Sequence, residues 1–170
     1  MAELAVTAVG ADRPGIVAAV AAVLHQRGGN VEDSAMTILG GHFAIVLIVR
    51  TDDEPEALRT ALETATTELG LAISVSRAEG ARRPDEPTHL LSVYGADRPG
   101  IVAGVTRALA DLGANITDLE TQVIGQQEPV YAMVIELVAA EEAALDEGLN
   151  AVCDDLGVDY TLRTIEAETY

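Results

Sequence analysis

The chain has 170 residues, 49% of them hydrophobic, and a formal net charge of −18 from 28 carboxylates against ten cations. That apolar content supports one sizeable core or two modest ones and excludes a disordered chain in spite of the charge. The cations are all arginine, and so acidic a balance repels a phosphate backbone instead of releasing its counterions, which argues against direct nucleic-acid binding.

The first expected strand is Leu4 to Val9. It leads into Gly10-Ala11-Asp12-Arg13-Pro14-Gly15-Ile16-Val17-Ala18, which returns letter for letter as Gly95-Ala96-Asp97-Arg98-Pro99-Gly100-Ile101-Val102-Ala103 at an offset of 85 residues. A period near 85 is too long for a solenoid repeat and is the size of a small domain. After the run, Ile16, Val20, Val23 and Leu24 recur at helical spacing, and Gly28 is placed to close that helix. Two β-rich stretches follow, Val31 to Leu39 and His42 to Arg50, joined by Gly40-Gly41, a tight-hairpin signal. A second helix carries Leu58, Ala61, Leu62, Ala65 and Leu69, and a last strand follows Gly70.

Residues 79–87, polar and holding Pro84 and Pro87, read as a linker between domains at 1–78 and 88–170. The second copy repeats the order: a strand at Leu90 to Tyr94, a helix on Ile101, Val105, Ala108, Leu109 and Leu112, and strands Asn115 to Ile124 and Val130 to Val138. A helix on Leu145, Leu149, Val152 and Leu156 and a final strand after Gly157 complete it. Its hairpin loop, Gly125 to Pro129, is about three residues longer than Gly40-Gly41. The fold class is therefore α+β, with two ferredoxin-like βαββαβ domains, each a four-stranded antiparallel sheet with two helices on one face. Phe43 to Val49 is apolar without alternation, as in strands covered on both faces, so the other copy or another chain is expected against the open face, and a homodimer with it.

Chemistry has one natural seat in such a fold. The repeated turn sets Asp12 or Asp97 to cap the first helix, with Pro14 or Pro99 suited to its first turn. The free N–H groups there, with Gly15 or Gly100 offering no side chain to block approach, suit a small carboxylate. Asn30 and Asn115 bring amide donors and an acceptor, and Arg13 and Arg98 are candidate carboxylate clamps. The same residues also serve ordinary capping and turn chemistry, and the residues alone leave both readings open.

Catalytic signatures are missing: no nucleophile elbow, no His-Glu-x-x-His, no phosphate loop, and no lysine for Schiff-base chemistry. His25, His42 and His89 lack ligand spacing, so neither a metal nor a cofactor is expected. Cys153 stands where the first copy has Thr66 and reads as a buried structural thiol. The Met1 end carries no basic segment and no long apolar run, so no signal peptide or membrane span is expected and a cytoplasmic location is the default.

Asp-Arg-Pro-Gly-Ile-Val after a first strand, with Gly-x-Asn-Ile/Val before the second, resembles the ACT domain, a regulatory amino-acid-binding module, and both copies carry it. The resemblance implies that a small amino acid binds at interfaces between modules, lined by the strand–helix turn and the asparagine-bearing segment. Carried over by position, the ligand-binding residues are Asp12, Arg13, Gly15, Ile16 and Asn30 in the first copy and Asp97, Arg98, Gly100, Ile101 and Asn115 in the second. Met36 and Thr37 stand where the second copy has Thr121 and Gln122, so the two sites are expected to differ in ligand, or one to be empty. The leading expectation is a non-enzymatic sensor that signals to a regulatory protein partner, and the alternative is a pure interaction or oligomerisation module without ligand. ACT modules precede catalytic domains in some phosphoserine phosphatases and formyltetrahydrofolate deformylases, but this chain ends where such a domain begins, so no enzyme is expected.

Overall fold

A computed structural model describes residues 1–78, 85–125, 129–139 and 142–165. The chain divides into two compact units, Met1–Arg82 and Arg83–Tyr170. Of the expected linker, residues 79–84 lie outside the described residues, as do 126–128 of the longer hairpin loop.

The first unit runs β1 (Ala2–Ala11), α1 (Ile16–Gln26), β2 (Asn30–Leu39), β3 (His42–Thr51), α2 (Pro55–Ala65), a single 3₁₀ turn at Thr67–Leu69, and β4 (Ala72–Arg77). Its antiparallel sheet has the order β2-β3-β1-β4. The second unit repeats this with β5 (His89–Ala96), α3 (Ile101–Asp111), β6 (Asn115–Ile124), β7 (Val130–Val138), α4 (Glu142–Leu156) and β8 (Val158–Thr164), in the order β6-β7-β5-β8. These are the two ferredoxin-like βαββαβ domains read from the pattern.

Each core lies between the helices and one face of its sheet. In the first, Leu4, Val6 and Ala8 of β1 and Phe43, Ile45, Leu47 and Val49 of β3 pack with Ile16, Val20, Val23 and Leu24 of α1 and Leu58 and Leu62 of α2. Burying each leucine or isoleucine contributes about 1.5–3 kcal/mol, which fixes the amphipathic helices to this face. Although apolar throughout, β3 alternates in burial: Ala44, Val46 and Ile48 point away from the helices, and Val46 is 47% exposed. Within the unit the helices cover only one face of the sheet, so the unbroken apolar run of β3 is not explained by a second layer of the same unit.

Gly40 and Gly41 both take positive φ, 57° and 80°, and Leu39 pairs with His42 across them. Such a two-residue loop matches the twist of its strands only with left-handed residues, which glycine adopts freely. Cys153 is buried in the second core as Thr66 is in its own unit. Burial first, then the carboxylates of Asp154 and Asp159, push its thiol up, in keeping with an inert structural role.

Candidate functional site

The repeated turn begins where β1 ends. Ala11 pairs with His42, and the Asp12 amide donates to the Gly41 carbonyl at 2.9 Å, so the turn is laced to the β2–β3 hairpin. Capping by Asp12 and Asp97 does not occur. The N-cap residues are Gly15 and Gly100, with φ of 93° and 100°, and neither helix has a side-chain cap hydrogen bond. A residue in that conformation cannot sit inside a helix, so α1 and α3 start after it, beyond Pro14 and Pro99 as well. The first N–H groups of both helices are therefore not occupied by any side chain, the condition under which a helix N-terminus attracts an anion.

Arg13 extends the other way. Its Nη1 donates to the Glu68 carbonyl at 3.5 Å, in the 3₁₀ turn after α2. Arg98 lies against the equivalent place, where a Cβ built on Gly157 would sit 3.3 Å from its Nη1. Both guanidinium groups thus rest against the chain that follows the second helix, where a cation complements the carbonyl end of a helix.

Asn30 and Asn115 open β2 and β6, at the opposite end of the sheet. Asn30 pairs with Arg50, which pairs with Glu3 near the start of β1, whereas the turn follows Ala11 at the other end of that strand. Helix α1, 11 residues and about 16 Å long, runs between turn and asparagine. One unit therefore does not bring the two together to hold one zwitterion, because a free amino acid carries its ammonium and carboxylate on a single carbon. The order turn, helix, Gly28, Asn30 already set the two at opposite ends of the helix; the ladder adds that the sheet does not fold them back together.

The asparagine ends differ in their surroundings. Each lies beside a β-bulge at the same place, between Val31 and Asp33 in β2 and between Ile116 and Asp118 in β6. In the first unit the bulged residue is Glu32, which accepts from Asn30 Nδ2 at 2.7 Å and pairs with Arg50 at 2.7 Å. In the second it is Thr117, whose Oγ1 is enclosed with no hydrogen-bond partner, and Asn115 faces Val138 across the ladder. A second asymmetry lies beside the turn: Tyr131 pairs with Gly95 where the first unit has Phe43 beside Gly10. Partial burial raises the Tyr131 phenol, and a hydrogen bond with Thr121 and the nearby Asp97 charge also act on it. Sequence reasoning passed over both Thr117 and Tyr131. The 85-residue offset aligns Thr117 with Glu32, and that change of charge beside an asparagine was the available signal.

An open groove of about 830 Å3 runs between α1 and α2, lined by Val23, Gln26, Ala57, Thr60, Ala61 and Thr64, and contains none of the expected ligand residues. Arg27 grips Asp53 at its rim, and Arg59 holds Glu56 and Glu63. Among the described residues no three or more His, Cys, Asp or Glu side chains stand together to hold a metal ion, and no helix is long and apolar enough to cross a membrane.

Two βαββαβ units in tandem, each with an uncapped helix start and an asparagine-led edge strand, define a tandem ferredoxin-like protein. The sequence profile of the ACT domain matches residues 3–76 and 88–163, and the chain belongs to that family. It is 26% identical to the glycine cleavage system transcriptional repressor of Escherichia coli K12, over 95% of this chain and 90% of that protein. A UPF0237 protein of Methanopyrus kandleri is 39% identical over 46% of this chain and 91% of its own length, so it spans about one unit. The crystal structure of an unknown protein from Galdieria sulphuraria superposes with a TM-score of 0.83 at 32% identity, covering 97% of this chain and 99% of that one.

Proposed function

We propose that the chain is a non-catalytic regulatory protein that binds a small amino acid at interfaces between ACT modules and signals to a regulatory protein partner in transcriptional or metabolic regulation. One observation carries the reading: turn and asparagine stand at opposite ends of α1, each with chemistry suited to one part of a zwitterion. A ligand that needs both meets them only where two modules adjoin, one supplying Asp12, Arg13, Gly15 and Ile16 or their counterparts Asp97, Arg98, Gly100 and Ile101, the other supplying Asn30 or Asn115. The uncapped N–H groups receive the carboxylate, and the amide holds the ammonium and its neighbours. Ligand binding then favours one packing of modules over another, and the changed surface takes up or releases the partner. A homodimer fits this scheme, because both edge strands expose apolar side chains such as Met36 and Ile38 of β2, each 52% accessible, and Val123 of β6.

Calorimetry with the common amino acids tests the proposal, glycine first because the repressor similar to this chain is named for glycine cleavage. Binding that disappears on replacing both asparagines, Asn30→Ala with Asn115→Ala, is the expected result. The competing reading is an interaction module without ligand; in that case no amino acid binds at millimolar concentration, with or without the partner. The asparagine replacements would then shift stability by only about 1 kcal/mol, as for an ordinary hydrogen bond.

A further inference from the structure

We propose that the two asparagine ends are unequal: the end formed by Asn115 and Thr117 holds the amino acid, while the end formed by Asn30 is closed by its own side chains. This rests on the amino-acid-binding reading above and goes beyond it by assigning the ligand to one end. At the first end the Asn30 amide donates to Glu32, and Glu32 is neutralised by Arg50, which lies directly across the ladder from Asn30. A ligand arriving there must break the bond between Asn30 and Glu32, and with it disturb the ion pair to Arg50, before the amide is free to hold it.

At the second end each of these obstacles is missing. Val138 replaces Arg50 across the ladder and Thr117 replaces Glu32 at the bulge, so Asn115 has no neighbouring ion pair to join. Its side chain makes no hydrogen bond to any described residue. The Thr117 hydroxyl is enclosed and unpartnered, an uncommon and unfavourable state for a polar group in a folded protein. Thr117 is part-exposed, so a turn about its Cα–Cβ bond brings the hydroxyl to a ligand, and the group then gains a hydrogen bond that the free protein does not give it. A bulge sets the direction of its extra residue, and β6 uses its bulge to place a neutral hydroxyl where β2 places a carboxylate. The ligand class that fits is a small polar zwitterion, offering donor and acceptor together to an amide and a hydroxyl.

The full chain is titrated by calorimetry with the common amino acids, one at a time, as wild type and as Asn30→Ala, Asn115→Ala and Thr117→Val. Asn115→Ala and Thr117→Val are expected to weaken binding about tenfold each, the loss that follows from one ligand hydrogen bond. Asn30→Ala is expected to leave the affinity within about twofold, the size of effect seen when a residue does not touch the ligand. Thr117→Val supplies the readout that a merely structural role would not move: valine keeps the shape and removes the orphan hydroxyl, so the free protein melts at the same or a higher temperature while affinity falls. Unchanged affinity in Thr117→Val, or an equal loss from Asn30→Ala and Asn115→Ala, overturns the assignment and leaves amino-acid binding standing. Absence of binding to the wild type removes the amino-acid reading itself and the assignment with it.

Discussion

Gly15 and Gly100 show how much of this protein rests on single backbone conformations. Each holds the N-cap position at positive φ, and a Cβ built on either meets nothing within 4 Å. Replacement by alanine therefore costs backbone strain without any clash. Gly15→Ala is expected to lower stability by about 1–2 kcal/mol, measured by denaturant unfolding, with a similar loss for Gly100→Ala. The glycines were legible as residues that leave the helix start open, but their role as the cap was not. Aspartate and proline at a helix start normally mark the first turn; here the Asp12 amide is tied to Gly41, which holds it at the strand end and delays the helix to Ile16. Thr117 and Glu32 make the same point about side chains. Their letters differ by one charge, and only the tertiary contacts reveal that Glu32 is tied to Asn30 and Arg50 whereas the Thr117 hydroxyl has no partner.

At the scale of elements, the helices are held by leucines that reach one face of the sheet. Leu62 of α2 and Leu149 of α4 are fully buried at corresponding places. Leu62→Ala and Leu149→Ala are each expected to cost about 2–5 kcal/mol in chemical unfolding, transfer loss and residual cavity together. Thr60→Ala, on the exposed side of α2, should stay within about 0.5 kcal/mol. Helices, strands and the Gly40-Gly41 hairpin were legible because period and turn chemistry act over a few residues. The third strand was only half legible. An apolar run does not say which of its faces its own unit covers, and β3 turns Phe43, Ile45, Leu47 and Val49 into that unit's core and Val46 away from it.

Across the whole molecule, the duplication that makes the units alike in fold leaves them unlike in titration. All four tyrosines and the single cysteine fall in the second half of the chain. Burial, followed by the hydrogen bond to Asp146, pushes the Tyr160 phenol up to about 12; its hydroxyl donates to Asp146 Oδ1 at 2.8 Å. The folded protein thus holds this proton more tightly than the unfolded chain, whose phenols titrate near about 10. The stabilisation is complete below that value and is lost as pH rises through about 12. Tyr131 and Cys153 are raised as well and act in the same direction. Unfolding midpoints followed from neutral to strongly alkaline pH should therefore fall, and Tyr160→Phe should flatten the fall; an equally steep decline in that variant would refute the assignment to Tyr160. The repeat of nine residues and its 85-residue offset already contained the two domains, their element order, their family resemblance and the residues of the turn and asparagine segments, because each of these is written in neighbouring letters. Side chains far apart in the chain, Glu32 with Arg50 above all, made the two asparagine ends unequal. Those relations depend on contacts that form only when distant segments pair, which is why no local pattern could carry them.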